Sequence, residues 1–144
     1  MIKINYPDKK PALRTTGTRE EVFCMIRKRW VLLTPEEWVR QHFLLYLTEV
    51  LSYPASLIAV EKQLMLGDLR KRFDIVLFDK QGRAFMLVEC KEMNVPLTEK
   101  VLHQALRYNI SIRADYLVIT NGSYCMACRY ENGNAVSIDA LPNA

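Results

Sequence analysis

Two strongly apolar segments in the middle of the chain carry charged residues. Asp74 interrupts the first segment, and Glu89 and Lys91 lie at the end of the second. A charged side chain in such a segment destabilises the fold by several kcal/mol unless it is paired or bound to a metal ion. The turn-like sequence 79–83 separates the two segments. The pattern therefore predicts a β-hairpin whose charged groups need a partner.

The hairpin register predicts how close the two carboxylates lie. Either a two-residue turn over Gln81 and Gly82 or a loop over 80–83 places Asp74 directly opposite Glu89. The Cβ atoms of such a pair lie about 5 Å apart, so the two charges repel. A shared divalent cation relieves the repulsion, and Mg²⁺ prefers oxygen ligands of this kind.

Lys91 follows Glu89 by two residues, so both side chains point to the same face of the strand. A lysine there can position or deprotonate a water molecule, or stabilise developing charge. The backbone carbonyl of Cys90, between them, is a candidate metal ligand. The competing interpretation is an ion pair between Asp74 and Lys91, with Glu89 at a solvated strand end.

The order of elements predicts an α/β (α+β) fold. A helix begins at the N-cap Thr34, with Pro35 in its first turn and Glu37 completing a capping box, and it ends near Leu51. Alternating and helical periodicities then predict further elements. They are strands near 57–66, 72–78 and 84–91, a helix over 98–112, and strands near 115–120, 124–130 and 135–138.

The charged centre and a second block of sequence resemble a known nuclease superfamily. Asp74, fourteen intervening residues and then Glu89-Cys90-Lys91 resemble the PD-(D/E)xK motif. The segment 29–41, which reads RWVLLTPEEWVRQ, and the segment LIAVE at 57–61 are similar to the N-terminal domain of type I restriction enzyme R subunits. Such domains also occur as small free-standing proteins, and the resemblance covers about 27–130.

The resemblance implies a restriction-endonuclease-like α-β-β-β-α-β core, in which a mixed central sheet is flanked by helices. It implies one nuclease domain over 27–144, acting as a Mg²⁺-dependent DNA endonuclease or nickase in which Mn²⁺ substitutes for Mg²⁺. Asp74 and Glu89 would be metal ligands, Lys91 the catalytic lysine, and Gln104 on the second helix a supporting residue.

The chain departs from the family pattern in two respects. Phe73, rather than proline, precedes Asp74. Many relatives also carry a metal-binding glutamate on the first helix. Here Glu37 and Gln41 are the candidates for a third ligand, and the sequence leaves the choice open.

Charge is concentrated at the start of the chain, where residues 1–30 hold eight lysines and arginines against three acidic residues. We therefore predict a basic N-terminal arm over 1–26 that favours DNA as a partner. Lys62, Lys71 and Arg72 are candidate phosphate contacts near the metal. The alternative function is a catalytically silent nucleic-acid-binding module with the same fold.

Other features bear on compartment and partners. No apolar run approaches the roughly 18 residues of a membrane span, and we expect a cytoplasmic protein. Cys125 and Cys128 have zinc-like spacing, but an offset of three in a strand points them to opposite faces. A separate motor or specificity subunit is an expected partner, and an open sheet edge would allow a homodimer. The sequence leaves open cleavage specificity and the choice between DNA and RNA.

Overall fold

Ten strands and two α-helices make up the fold in a computed structural model. It describes the backbone of residues 1–144 and every side chain except those of Leu66, Tyr108, Ile110 and Ser111. In chain order the strands are β1 (Ile2–Lys3), β2 (Leu13–Thr16), β3 (Arg19–Cys24), β4 (Arg29–Leu32), β5 (Ile58–Leu66), β6 (Leu69–Phe78), β7 (Ala84–Cys90), β8 (Tyr116–Thr120), β9 (Tyr124–Glu131) and β10 (Asn134–Ile138). The helices are α1 (Pro35–Leu45), continued by a π-helical turn (Tyr46–Val50), and α2 (Glu99–Ile112), with a short 3-10 turn (Ala55–Leu57) before β5.

Seven of the strands form a mixed central sheet in the order β1-β9-β8-β7-β6-β5, with β10 also paired to β9. Only β7 and β8 are parallel, and α2 provides the connection between them. This follows from chain geometry, since parallel neighbours need a long crossover and antiparallel ones do not. The fold is therefore a mixed α+β fold with a mixed central sheet, and its assignment to the restriction-endonuclease-like topology stays a prediction.

The helices cover opposite faces of the sheet. Phe43 and Leu47 of the first helical segment pack with Met86 and Val88 in one core. On the other face, Leu102 of α2 packs in a second core with Leu87, which lies between Met86 and Val88 on β7. Adjacent residues of β7 thus face different cores, which explains why this strand is apolar on both sides. Where a charged residue appears in such a strand, the sheet presents it to one of two buried layers.

Residues 13–32 form a separate three-stranded antiparallel sheet, β2-β3-β4. Residues 13–24 of the predicted basic arm form a hairpin of β2 and β3, with Gly17 in its turn at φ 65°. This sheet also crosses the predicted boundary at residue 26. Much of the basic charge is paired within the protein, since Arg14 and Arg19 lie 3.0 and 3.4 Å from Glu21.

The predicted hairpin register is correct in its body and wrong at its tip. Ile75 pairs with Val88 as expected, but a bulge after Leu77 pairs Phe78 with Ala84. Neither predicted turn forms, because the Asp79 carboxylate accepts hydrogen bonds from the backbone N–H groups of Gln81 and Arg83. The Asp79 side chain thus reinforces a turn that two backbone hydrogen bonds between Asp79 and the residues Gly82 and Arg83 also close. The bulge restores the register toward the site.

Two further observations complete the fold. Cys125 packs in the first core and Cys128 in the second, as their offset of three predicts. Among the helices, considered over the residues that are described, none is both long and apolar enough to cross a bilayer.

The start of α1 gives a test of how the fold is held. The Thr34 side chain accepts a hydrogen bond of 3.0 Å from the Glu37 backbone N–H, as the sequence predicted. We expect Thr34→Ala to lower the free energy of unfolding by about 1 kcal/mol, because an N-terminal N–H loses its partner. Urea unfolding measures the change. Thr34→Ser keeps the acceptor and serves as the control, and an equal loss in both variants would contradict the capping role.

Candidate metal and nuclease site

Asp74 is held at a break in the sheet. Its Oδ2 accepts a 2.8 Å hydrogen bond from the Cys90 backbone N–H, and its Oδ1 accepts one of 2.8 Å from Arg40 Nη2. The described pairing of β6 with β7 ends one position earlier, at Ile75 and Val88. The Asp74 carboxylate therefore bonds to β7 at the point where the described backbone pairing ends. Asp74 was predicted to lie opposite Glu89, and its carboxylate is bonded to the next residue, Cys90.

The neighbouring strand β5 is also irregular at this level. Glu61 has φ 53°, a left-handed conformation that side-chain-bearing residues rarely adopt. The pairs on either side of it, Val60 with Ile75 and Lys62 with Phe73, are regular. The distortion places the Glu61 carboxylate 3.1 Å from Arg27 Nη1 and 3.8 Å from Arg40 Nη1. Glu61 thus joins the two guanidinium groups that also contact Glu37.

Glu89 lies on β7 and faces an open cavity of about 500 Å³. Its side chain is 15% exposed, and Oε1 is buried without a hydrogen-bond partner among the described residues. Lys71 Nζ lies 3.9 Å from that oxygen. Burial, followed by the nearby charge of Asp74, raises the pKa of Glu89 to about 7. Glu89 is therefore a buried carboxyl group with a long ion pair to Lys71 and an Oε1 atom that accepts no hydrogen bond from the described residues.

Three of the four predicted catalytic residues meet in this cavity. Glu89 lines it together with Lys91 and Gln104, and Phe73 forms part of its wall. Lys91 is fixed at the end of β7 because its backbone N–H donates a 2.8 Å hydrogen bond to the Thr120 carbonyl. The Cys90 carbonyl lies between Glu89 and Lys91 in the chain, and its role as a ligand stays a prediction.

The candidates for a third ligand have other partners. Glu37 is buried, and its carboxylate accepts hydrogen bonds from Arg27 Nη2 at 2.8 Å and Arg40 Nη1 at 2.7 Å. Gln41 is also buried and donates to the same carboxylate at 3.0 Å. The predicted return bond of a capping box is thus replaced by an ion-pair network. The described contacts place neither Glu37 nor Gln41 at the cavity.

Glu36 is the acidic residue of α1 that lies near Asp74, and the sequence analysis missed it. Burial, followed by the charge of Asp74, raises the pKa of Glu36. Its side chain is 53% exposed and lies 3.7 Å from Arg40 Nη2. Glu36 and Glu37 are three to four residues before Arg40, so both can reach its guanidinium group. That spacing from Arg40 is the sequence feature that could have identified Glu36, but it is equally compatible with Glu37.

Arg40 occupies the centre of the acidic groups. Its side chain is 6% exposed, and it contacts Glu37 and Asp74 at hydrogen-bond distance. Burial opposes its charge, but the hydrogen bond to Asp74 and the charge of Glu37 raise the pKa of Arg40. Over the described side chains, no cluster of three or more His, Cys, Asp or Glu has an arrangement that would hold a metal ion. Arg40 is the cation that Asp74 binds in this structure.

The predicted phosphate contacts do not form one cluster. Lys71 lines the cavity and lies over the Phe73 ring, 5.6 Å from its centroid. Arg72 is exposed and, as the next residue of β6, points to the other face. Lys62 pairs with Phe73 across the strands and is exposed.

Comparison with known proteins assigns the chain to a family. Residues 35–142 match the family described as the N terminus of the type I restriction enzyme R protein (HSDR_N), which is more than half of the chain. This chain belongs to the HSDR_N family. The matched segment contains Asp74, Glu89 and Lys91, and it also includes Glu36 and Arg40.

Other comparisons add little to this assignment. No curated protein matches the HSDR_N chain. A solved structure described as the cryoEM structure of a DrdV–DNA complex is similar at 19% sequence identity and a TM-score of 0.47. The similarity covers 72% of this chain and 10% of that one, so the HSDR_N chain spans about a tenth of the protein it matches. At that score the likeness carries no argument.

The Glu89 carboxyl should make stability depend on pH. Its pKa in the folded protein, about 7, lies above its ordinary value of 4.5, so folding favours the protonated form. The stabilisation is complete below pH 4.5 and is lost as the pH rises through 7. We expect Glu89→Gln to be more stable than wild type at pH 8, by up to about 3 kcal/mol. Urea unfolding in EDTA from pH 5 to 8 measures this.

Glu20→Gln, on the exposed edge of β3, is the control and should leave the pH dependence of wild type unchanged. A Glu89→Gln protein that loses stability from pH 5 to 8 as steeply as wild type would contradict the assignment of this pH dependence to Glu89.

Neutralising each of the two adjacent glutamates of α1 should change the free energy of unfolding by very different amounts. Glu37→Gln weakens a buried pair with two guanidinium groups, and we expect a loss of about 3 kcal/mol in unfolding free energy. Glu36→Gln removes repulsion between Glu36 and Asp74, so we expect no loss beyond about 0.5 kcal/mol. Thermal and urea unfolding in EDTA compare the two variants. Equal losses would show that the distinction between Glu36 and Glu37 is wrong.

Proposed function

We propose that this domain is a metal-dependent phosphodiesterase that cuts DNA as an endonuclease or nickase. In this proposal the domain has a PD-(D/E)xK site on a restriction-endonuclease-like core and takes part in restriction. The observation that carries it is the buried Oε1 of Glu89, which has no hydrogen-bond partner among the described residues and faces a cavity also lined by Lys91 and Gln104. Membership in a family named for a type I restriction enzyme R protein supports it.

The residues present fit a divalent cation in their chemistry. An unpartnered carboxylate oxygen on Glu89, beside the charged Asp74, is the kind of hard donor that Mg²⁺ or Mn²⁺ takes. Asp74 and Glu89 would hold the ion, with the Cys90 carbonyl as a further ligand. Glu36 replaces Glu37 and Gln41 as the candidate for the third acidic group. When bound, the ion supplies a Lewis acid that lowers the pKa of water.

The remaining roles follow from the chain's own side chains. The amino group of Lys91 can hold a water molecule or stabilise charge on a phosphate oxygen. The Gln104 amide can hydrogen-bond the lysine or a water molecule in the same cavity. Lys71, whose Nζ lies 3.9 Å from Glu89 Oε1, can contact a phosphate beside Glu89. Arg40 would either release Asp74 Oδ1 when the ion binds or share Asp74 with the ion.

A second candidate function is favoured by the Arg40–Asp74 contact. A guanidinium group already neutralises Asp74 at 2.8 Å, which is how a domain would stabilise this carboxylate without a metal ion. Such a domain would be a catalytically silent module that binds nucleic acid. It would show salt-dependent binding, and that binding would survive neutralisation of Glu89.

Cleavage assays separate the two functions. We expect wild type to nick or cut supercoiled plasmid in Mg²⁺ or Mn²⁺. Asp74→Asn, Glu89→Gln and Lys91→Met should each lower the rate by on the order of 100-fold or more, since each removes a group that acts on the reacting phosphate. Lys80→Met, in the exposed β6–β7 turn, is the matched control and should cut normally.

Metal binding is measured separately by thermal melting with and without Mn²⁺. We expect a rise in melting temperature that is lost in Asp74→Asn and reduced in Glu36→Gln. Wild type that cuts neither supercoiled, linear, single-stranded DNA nor RNA with either metal would overturn the nuclease proposal. Salt-dependent binding without cleavage or a Mn²⁺ shift would support the silent module.

A further inference from the structure

The β5–β6 hairpin extends past the pairing with β7. The described pairs of β6 with β7 run from Ile75 to Phe78. Pairing of β6 with β5 continues further, from Phe73 back to Leu69. Residues 62–73, here called the ribbon, are therefore two antiparallel strands with no described third strand beside them. The ribbon starts next to Asp74 and extends away from it.

The ribbon has two different faces, which the register defines. Lys62 pairs with Phe73 and Leu64 with Lys71, and this inner face includes residues that pack in the second core or line the cavity. The outer face consists of the alternate pairs, which are Gln63 with Arg72 and Met65 with Arg70. All four outer side chains are exposed, and Met65 is 57% exposed although it is apolar.

The two outer arginines are not used inside the protein. Neither Arg70 nor Arg72 has an ion-pair or hydrogen-bond partner among the described residues. In contrast, Arg14 and Arg27 of the basic N-terminal segment are paired with glutamates. Asp68 in the turn is the one acidic residue of the ribbon. An exposed surface with two free guanidinium groups is complementary to a polyanion.

We propose that the outer face of the ribbon enters the major groove of duplex DNA and reads base edges there. The proposal rests on the proposed function and deepens it by assigning where the duplex lies. A two-stranded β-ribbon fits the major groove, which is about 12 Å wide. Arginine pairs with guanine O6 and N7, glutamine with adenine, and an apolar group with the thymine methyl. Arg70, Arg72, Gln63 and Met65 supply these groups on one face.

The strand β6 sets how far the two outer arginines lie from Asp74. Arg72 and Arg70 are two and four residues from Asp74 on the same strand, which corresponds to roughly 7 and 13 Å. Base pairs are spaced by about 3.4 Å along the duplex axis. Along a duplex axis parallel to the strand, these spans correspond to about two and four base pairs.

Affinity for duplex DNA tests the surface. The whole chain is titrated against a fluorescent duplex in EDTA, so that no cleavage occurs, and anisotropy is measured. We expect Arg70→Ala with Arg72→Ala to weaken binding by about tenfold or more per arginine, with an unchanged melting temperature because both side chains are exposed. Lys80→Ala with Arg83→Ala removes the same charge at the other end of β6. This control should change affinity by no more than about threefold.

Chemical protection distinguishes base reading from simple charge attraction. Wild type should protect guanine N7 from methylation, and Arg70→Lys with Arg72→Lys should keep low-salt affinity but lose that protection, because lysine lacks the bidentate geometry. Binding to duplex RNA should be weaker, since its major groove is too narrow for the ribbon. Protection confined to adenine N3 in the minor groove, or equal affinity for duplex RNA, would overturn the proposal.

Failure of the ribbon and failure of the nuclease give different results. If wild type cuts DNA and the double alanine variant binds like wild type, the ribbon proposal is wrong and the nuclease proposal stands. If the ribbon variants lose binding and guanine protection but wild type never cuts, the nuclease proposal is wrong and the ribbon proposal stands. Wild type that does not bind duplex DNA in any salt concentration overturns the ribbon proposal directly.

Discussion

The buried guanidinium group of Arg40 is the interaction on which the candidate site depends. It joins α1 to the sheet by contacting Glu37 within its own helix and Asp74 on β6. Arg27 extends the network, because it follows β3 and contacts both Glu37 and Glu61. Each of these carboxylates would be a costly buried charge without its partner. The network therefore fixes where α1, β5, β6 and the small sheet meet, and Asp74 takes its orientation from it.

The network leaves the two central carboxylates in different environments. Asp74 has a cation and a backbone N–H as partners, whereas Oε1 of Glu89 has no hydrogen bond among the described groups. Asp74 is thus paired with a cation, whereas Glu89 is buried beside the cavity with an oxygen that accepts no hydrogen bond from the described groups. An environment that separates two nearby carboxyl groups in this way is a recurrent feature of functional sites, although structural networks produce it too.

From Thr34 onward, the sequence predicted the order of elements because their periodicities are strong and local. Asp74, Glu89 and Lys91 were found for a related reason, since a charge in a doubly buried strand breaks an otherwise regular pattern. The turn register was wrong because the Asp79 side chain bonds to the loop in addition to its backbone hydrogen bonds, and a bulge precedes the turn. The sequence did not single out Glu36, because adjacent helical residues differ only by rotation about the axis. Contacts with Arg27, distant in the sequence, decide which of them is buried.

The basic segments show why net charge is a poor guide to a nucleic-acid surface. Residues 1–30 carry the larger excess of positive charge, yet Arg14, Arg19 and Arg27 are all paired with glutamates of the same fold. The ribbon carries fewer charges, but Arg70 and Arg72 are exposed and without described partners. A polyanion gains from releasing counterions only where the protein's cations are not already neutralised. The position of unpaired charge, which only the fold reveals, therefore locates the surface better than the position of most charge.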